Sequence, residues 1–391
     1  MAYEIIPYRP EFKDQVVRLQ GELWRQDAAR DAAYFKWKYE DNPYLETPML
    51  YLALHEAKVV GVRGLFGAKW QIGSPQTELL VPCNTDTVVA PEHRQGGLYH
   101  NLTKYLINDL SGMGFTYVFN FKPSRVNFVN SMMLGWRRIG SYRPMTRRTV
   151  LAGRRYRLRH WILKQPALAA AARRGKLVVE NAVTRLSADR AENSGHGFQA
   201  LDDYGRRCRS DSYTQLSIEA TARPAAMAQL IDRIGSDGRM RHIRDEQYFA
   251  WRFNNPHSHY RFVFWGKEQL EGYLVLQQAR TRLFAKVRII DWEGTSDEVR
   301  AKLLHAVVES GNFTELSVWS STLSDQTKQL LQDAGFSLGE ETQRRTDSDS
   351  APIPIMRGLD HDKPPEEWRV AGMCLLDIAN WDMRAVYPDA Y

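Results

Sequence analysis

A chain of 391 residues exceeds what one ordinary hydrophobic core organises, and 43% hydrophobic with 25% charged residues describes a soluble globular protein of two domains. No apolar run is long enough to cross a bilayer, and Met1-Ala2-Tyr3-Glu4 lacks the basic and apolar regions of a signal peptide, so the cytoplasm is the expected address. Cys83, Cys208 and Cys374 stand far apart with no C-x-x-C pair, which argues against a disulfide framework and a zinc site.

Residues 4–8 predict a short strand, and 11–24 place Phe12, Val16, Val17, Leu19 and Leu23 at mostly helical spacing. After the break at Asn42-Pro43, strands are predicted at 49–54 and 59–66, then at 68–72 and 77–81 around Gly73-Ser74-Pro75. A strand at 86–90 leads into a glycine turn. Leu98, Leu102, Tyr105, Leu106, Leu110 and Met113 follow as one amphipathic helix that ends at Gly112-Met113-Gly114. The next strand, 117–121, should run parallel to the strand before that helix, because a single helical crossover joins them. A helix at 126–133 ends near Gly135.

The net charge of +7 is concentrated in one segment, since eleven Arg and Lys and no Asp or Glu lie between Arg143 and Lys176. That segment reads either as a solvated connector, with a helix at 167–174, or as a contact with an anionic surface. Residues 187–197 read as a linker. Residues 198–216 carry few clear signals. Beyond them the expected order is strand 218–223, helix 225–234, strands 260–266, 272–278 and 282–292, helix 296–310, strand 315–318 and helix 326–334. The aromatic-rich tail, 368–391, either covers an interface or lines a cleft.

This order repeats that of the first half, and the letters repeat too. Arg30-Asp31-x-x-Tyr34-Phe35-x-Trp37-Lys38-Tyr39 and Arg244-Asp245-x-x-Tyr248-Phe249-x-Trp251-Arg252-Phe253 share one pattern, and each is followed by Asn-Pro. Such a match marks a duplicated module and not a solenoid, whose period is far shorter. Tyr34, Phe35 and Trp37 read as core anchors.

The stretch from Val88 to Tyr99 carries the chemistry. A strand end, Val88-Val89-Ala90, meets Arg94-Gln95-Gly96-Gly97 and then a helix start at Leu98-Tyr99. Adjacent glycines let backbone amides approach a ligand, and the first helical turn presents unpaired N–H groups to an anion. In the second copy the matching stretch is Asp291-Trp292-Glu293-Gly294-Thr295-Ser296-Asp297-Glu298, whose acids would repel a pyrophosphate.

These residues resemble the GNAT acyltransferase superfamily. Its signature, Arg or Gln, two residues, Gly, one residue, then Gly or Ala, is matched at Arg94 and Gly97 and departs at Tyr99, where an aromatic would crowd the last backbone approach. Leu134-Gly135-Trp136 is similar to the Leu-Gly-Phe that ends the family's fourth helix. The resemblance covers residues 3–145. It implies an α/β (α+β) fold of two tandem GNAT-like domains, each a mixed central sheet flanked by helices. The expected division is a cofactor domain at 1–145, a basic connector at 146–196, a degenerate copy at 197–345 and a tail at 346–391.

The resemblance further implies acetyl-CoA, or another acyl-CoA, held by Val88, Val89, Ala90, Arg94, Gln95, Gly96, Gly97, Leu98 and Tyr99. The acceptor would be the primary amine of a small molecule or amino sugar. Direct attack by the amine needs positioning and an oxyanion donor near 88–90. The family's acidic Tyr is replaced by Ser131. Asp86 is the base candidate, with His93 and His100 behind it, and Asn120 and Lys122 are placed to meet substrate. Two other readings stay open. One is a tandem GNAT-fold peptidyltransferase using aminoacyl-tRNA, against which Gly96-Gly97 argues. The other is a non-catalytic binding protein whose segment 143–176 rests on a membrane or polyanion.

Overall fold

Two large mixed sheets flanked by helices organise the chain. The computed structural model describes residues 2–24, 27–148, 198–210, 215–279, 286–310, 313–338 and 353–388. In the first half, β1 (Glu4–Pro7), helices α1 (Lys13–Trp24) and α2 (Ala28–Phe35) and strand β2 (Met49–His55) precede a long hairpin. The four strands expected from 59 to 90 are two: β3 (Lys58–Ile72) and β4 (Thr77–Val89). Gly67 and Pro82, which fall between the expected strands, face each other inside a ladder that runs from Gly61↔Val89 to Ile72↔Thr77. Helix α3 (Leu98–Gly112) then crosses to β5 (Tyr117–Asn120), parallel to β4 as expected. Helix α4 (Arg125–Met133), β6 (Arg137–Arg138) and β7 (Pro144–Arg148) follow.

The second half repeats the order. It begins with α5 (Gln199–Ser210), in a stretch without a clear sequence signal, then β8 (Leu216–Glu219), α6 (Pro224–Ile234) and β9 (Arg241–His242). Next come α7 (Glu246–Arg252), β10 (Ser258–Trp265), β11 (Gly272–Ala279), β12 (Lys286–Gly294) and α8 (Asp297–Ser310). β13 (Glu315–Trp319), α9 (Asp325–Asp333), β14 (Ser337–Leu338) and β15 (Ile355–Gly358) complete it.

The sheets do not follow the expected division at 145 and 346. The first has the order β1-β2-β3-β4-β5-β15-β6, so residues of the tail sit between β5 and β6. The second has the order β14-β7-β13-β12-β11-β10-β8, so β7 of the first half sits between β13 and β14. Each sheet takes one strand from beyond its own half, and β9 adds a further rung on Trp70 and Gln71 of β3. Ladder hydrogen bonds therefore tie the halves together.

Where the copies meet, the repeated aromatics behave like a two-fold interface. The Trp37 and Trp251 rings stack at 5.1 Å, and each indole N–H donates to the other's carbonyl at 2.7 Å. Asn42 and Asn255 make the same turn, their side-chain oxygens accepting the amides of Tyr44 and His257. Reciprocal contacts of this kind arise when one surface patch packs on its own copy. Trp37, Tyr34 and Phe35 are buried, as core anchors should be.

Candidate active site

β4 carries one more residue than β3 between the pairs Arg63↔Thr87 and Leu65↔Asn84. Such a bulge bends the strand and increases its twist. β4 and β5 accordingly pair only at Cys83↔Phe119. At that point a cavity of about 400 Å³ opens, lined by Asn84, Thr85, Asp86 and Thr87 of β4, by Asn120 at the end of β5 and by Phe121 and Lys122 beyond it. Ser124 and Asn127 of the α4 start close one side, and Trp24 and Tyr34 the other. Pro388 of the tail also lines it, so the tail reaches the cleft as well as the interface, where Trp381 is buried.

Asp86 is at the centre of a hydrogen-bond network. Its Oδ2 accepts from Lys38 Nζ at 2.8 Å and from the Tyr39 hydroxyl at 2.8 Å. Lys38 also donates to Thr85 Oγ1 at 2.7 Å, and Gln20 donates to the Tyr39 hydroxyl at 3.2 Å. The Lys38 side chain is 0% exposed and that of Asp86 14%. Lys38 and Tyr39 belong to a π-helical turn, Lys36–Glu40, which buries Trp37, Lys38 and Tyr39 in succession. Gly64 makes the network possible, because a Cβ there would lie 2.3 Å from the Tyr39 hydroxyl. Asp86 is thus an ion-paired carboxylate anchored from one side, not the solitary base its sequence position suggested.

The glycine turn lies just past β4. Gly97 stands at φ +67 in the left-handed region, and no atom lies within 4 Å of where its Cβ would be. It starts α3 with no side-chain cap, and the first amides to find its carbonyl are those of His100 and Asn101. The Leu98 and Tyr99 amides are the open first turn, the arrangement that suits an anion. Gly96 is closer packed, with the Tyr3 hydroxyl 2.9 Å from its missing Cβ. Gln95 is exposed, whereas the Leu98 side chain is buried in the core. Arg94 donates to the Val89 carbonyl at 3.0 Å and lies 3.6 Å from Glu22.

Several expectations are corrected. Tyr99 does not crowd the turn: its hydroxyl reaches the Asn127 carbonyl at 3.2 Å and Ser131 Oγ at 3.0 Å, and its ring lies over Arg63. His100 is exposed on α3 and is absent from the lining, because its position on the helix turns it away from the sheet. His93 packs with Tyr3 and His55 instead. The Ala90 amide donates to Val60 at 2.9 Å and cannot serve an oxyanion; Val88 faces β3 in the same way, whereas Val89 lies between these hydrogen-bonded pairs with its backbone polar groups turned away from β3. Within the basic segment, Arg147 donates to the Ala334 carbonyl and Arg148 pairs with Glu315, so β7 uses these charges inside the second sheet. The remainder of that segment, the helix at 167–174 and the linker lie outside the described residues.

No family model matches the chain, and no curated protein sequence does. Solved structures are similar along almost its whole length. A GCN5-related N-acetyltransferase from Anabaena variabilis aligns over 92% of this chain and 73% of its own, with TM-score 0.56 and 13% identity. A conserved protein of unknown function from Enterococcus faecalis, titled a probable N-acyltransferase, aligns over the same shares with TM-score 0.56 and 11% identity. A GCN5-related N-acetyltransferase from Kribbella flavida has TM-score 0.52 and 13% identity, over 92% and 71%. The chain is a tandem of GNAT folds.

The second GNAT half has filled the place that the first keeps open. Asp291 and Glu293 of β12 are buried, and Arg244 and Arg384 pair with both at 2.6–2.9 Å. Burial pushes the Asp291 carboxyl up, but Arg244 and then Arg384 outweigh it and hold it below the usual carboxylate range. At the helix start Ser296 caps the Val299 amide, and Arg300 donates to the Gly294 carbonyl while pairing with Asp297. The matching turn is closed by the chain's own side chains.

Lys38, Tyr39, Gln20, Thr85 and Pro388 were not singled out from sequence as site residues. Lys38 did carry a signal, since both copies of the repeated motif keep a basic residue there, and its counterpart Arg252 anchors the tail through the carbonyls of Val386 and Pro388.

Proposed function

We propose that the first GNAT half transfers an acyl group, acetyl in the simplest case, from a coenzyme A thioester to a primary amine of a small molecule or amino sugar. The observation that carries this is the coincidence of the β4–β5 splay, the cavity opening at it, and the uncapped Gly97 turn at the end of the same strand. The open space at Gly97 fits a pyrophosphate, which the Leu98 and Tyr99 amides would hold with Arg94 nearby. When bound, the thioester supplies an activated acyl carbon.

The chain's own residues provide position and charge. Asp86, fixed by Lys38 and Tyr39, offers a carboxylate that would orient the incoming amine and take up its proton when the C–N bond forms and the thioester C–S bond breaks, the sulfur leaving with coenzyme A. Asn120 accepts the Lys122 amide through its side-chain oxygen, which keeps its NH₂ as the donor it can offer a substrate carbonyl. Trp24, Tyr34 and Phe121 exclude water from the amine. The filled second half supports one cofactor site per chain.

Calorimetry with acetyl-CoA tests this: one site per chain is expected, lost in Gly97→Asp, where a Cβ and a carboxylate enter the open turn. Two sites, or none, would refute the proposal.

A further inference from the structure

Beside the cavity lies a charge that acyl transfer as described does not use. Arg63 of β3 is 0% exposed, and none of its three side-chain nitrogens has a hydrogen-bond partner among the described residues. Its guanidinium lies over the Tyr99 ring, 4.9 Å from the centroid. A cation–π contact offsets only part of what burying an unpaired guanidinium costs, so the fold maintains this charge at a loss.

Its position indicates what the charge serves. Arg63 stands directly opposite Thr87 in the ladder, and opposite residues of an antiparallel pair share one face of the sheet. Thr87 lines the cavity, and its hydroxyl is also buried without a partner among the described residues. Asn127, whose carbonyl receives the Tyr99 hydroxyl, lines the cavity too. On the other side of Arg63 in the sheet, Tyr51 donates its hydroxyl to Asp109, so that carboxylate has a partner of its own. Thr87 therefore brings a hydroxyl to the cavity, and Arg63, fully buried and outside the lining, stands opposite it in the ladder beneath an aromatic cover.

We propose that Arg63 and the Thr87 hydroxyl form a subsite for one anionic group of the acyl donor, a carboxylate or a phosphate. Two parallel N–H bonds from a guanidinium match either group, and the hydroxyl adds a third. The anion is either a free carboxylate at the end of a dicarboxylic acyl chain or a phosphate of the cofactor. The inference rests on the acyl-donor reading above and adds what the donor carries.

Calorimetry on the full chain with coenzyme A, acetyl-CoA and succinyl-CoA separates the sources, comparing wild type, Arg63→Met and Thr87→Val. If the acyl chain supplies the anion, wild type binds succinyl-CoA at least tenfold more tightly than acetyl-CoA, and Arg63→Met abolishes the difference while Thr87→Val reduces it. If a phosphate does, Arg63→Met weakens all three ligands at least tenfold. Unchanged affinities in Arg63→Met would overturn the subsite. Should wild type bind no thioester, the acyl-donor reading fails, and the subsite is then judged by thermal shift with inorganic phosphate and with succinate. Stabilisation of wild type but not of Arg63→Met supports it, and no shift in wild type overturns it. A ligand-free control excludes a purely structural role: Arg63→Met should melt no lower than wild type, because an apolar side chain replaces an unpaired buried charge. A lower melting temperature would count against the subsite.

Discussion

Replacing Lys38 by Met removes the cation that holds Asp86. The Lys38 side chain is 0% exposed and that of Asp86 14%, so the pair is largely withdrawn from water. Deleting one partner of a fully buried pair costs about 3–5 kcal/mol. Here Asp86 keeps the Tyr39 hydroxyl, a bond to a charged acceptor worth about 1.5–3 kcal/mol, and it borders a cavity. The expected loss in Lys38→Met is therefore smaller, about 2–3 kcal/mol. Asp86→Asn alone should also destabilise, since the buried Lys38 ammonium then loses its charged partner while keeping its bond to the Thr85 hydroxyl. In Lys38→Met/Asp86→Asn neither charge remains, and stability should recover to within about 1 kcal/mol of wild type. Urea denaturation followed by tryptophan fluorescence reads all four corners of the cycle. A loss below about 1 kcal/mol in Lys38→Met, or a double variant whose loss is the sum of the singles, would show that the two residues are not coupled.

Other consequences concern the interface and the hairpin. Trp37→Phe and Trp251→Phe should each cost about 2 kcal/mol, and the double variant should cost about 1 kcal/mol less than their sum, because stack and carbonyl contacts are shared; strict additivity by denaturation would argue against the reciprocal contact. Gly64→Ala should destabilise by about 1–3 kcal/mol through collision with Tyr39, and the same assay would contradict this if the variant matched wild type. Burial holds the His242 imidazole down at about 3, against an ordinary 6.5. The unfolded chain therefore takes up this proton first, and the stability His242 contributes is present above pH 6.5 and lost as pH falls towards 3. The slope is at most about 1.4 kcal/mol per pH unit. Denaturation at pH 7, 6 and 5 should show a shallower acid loss in His242→Gln than in wild type; equal slopes would exclude the assignment.

Much of the site was legible locally. Two glycines after a strand and before an amphipathic helix mark an anion turn through backbone rules that act within a few residues, and Gly97 has the left-handed conformation and open space those rules require. Asp86 and Asn120 were singled out because the first lies on the strand that enters the turn and the second around the end of the next strand, and both line the cavity. His100 shows the limit: its chemistry suited a base, but the side of a helix that faces the sheet depends on packing.

The duplicated motif, most of the order of strands and helices, and the acidic turn of the second copy were written in the sequence, since periodicity, turn chemistry and repeated letters need no knowledge of distant contacts. Which strand completes which sheet was not. β7 and β15 are short, and nothing inside Pro144–Arg148 or Ile355–Gly358 states that each pairs across the halves; that choice is made by open ladder edges far away in the chain. The same holds for Lys38 beside Asp86 and for the unpaired guanidinium of Arg63. A sequence specifies which groups bear charge, but only the folded arrangement decides which of those charges are answered.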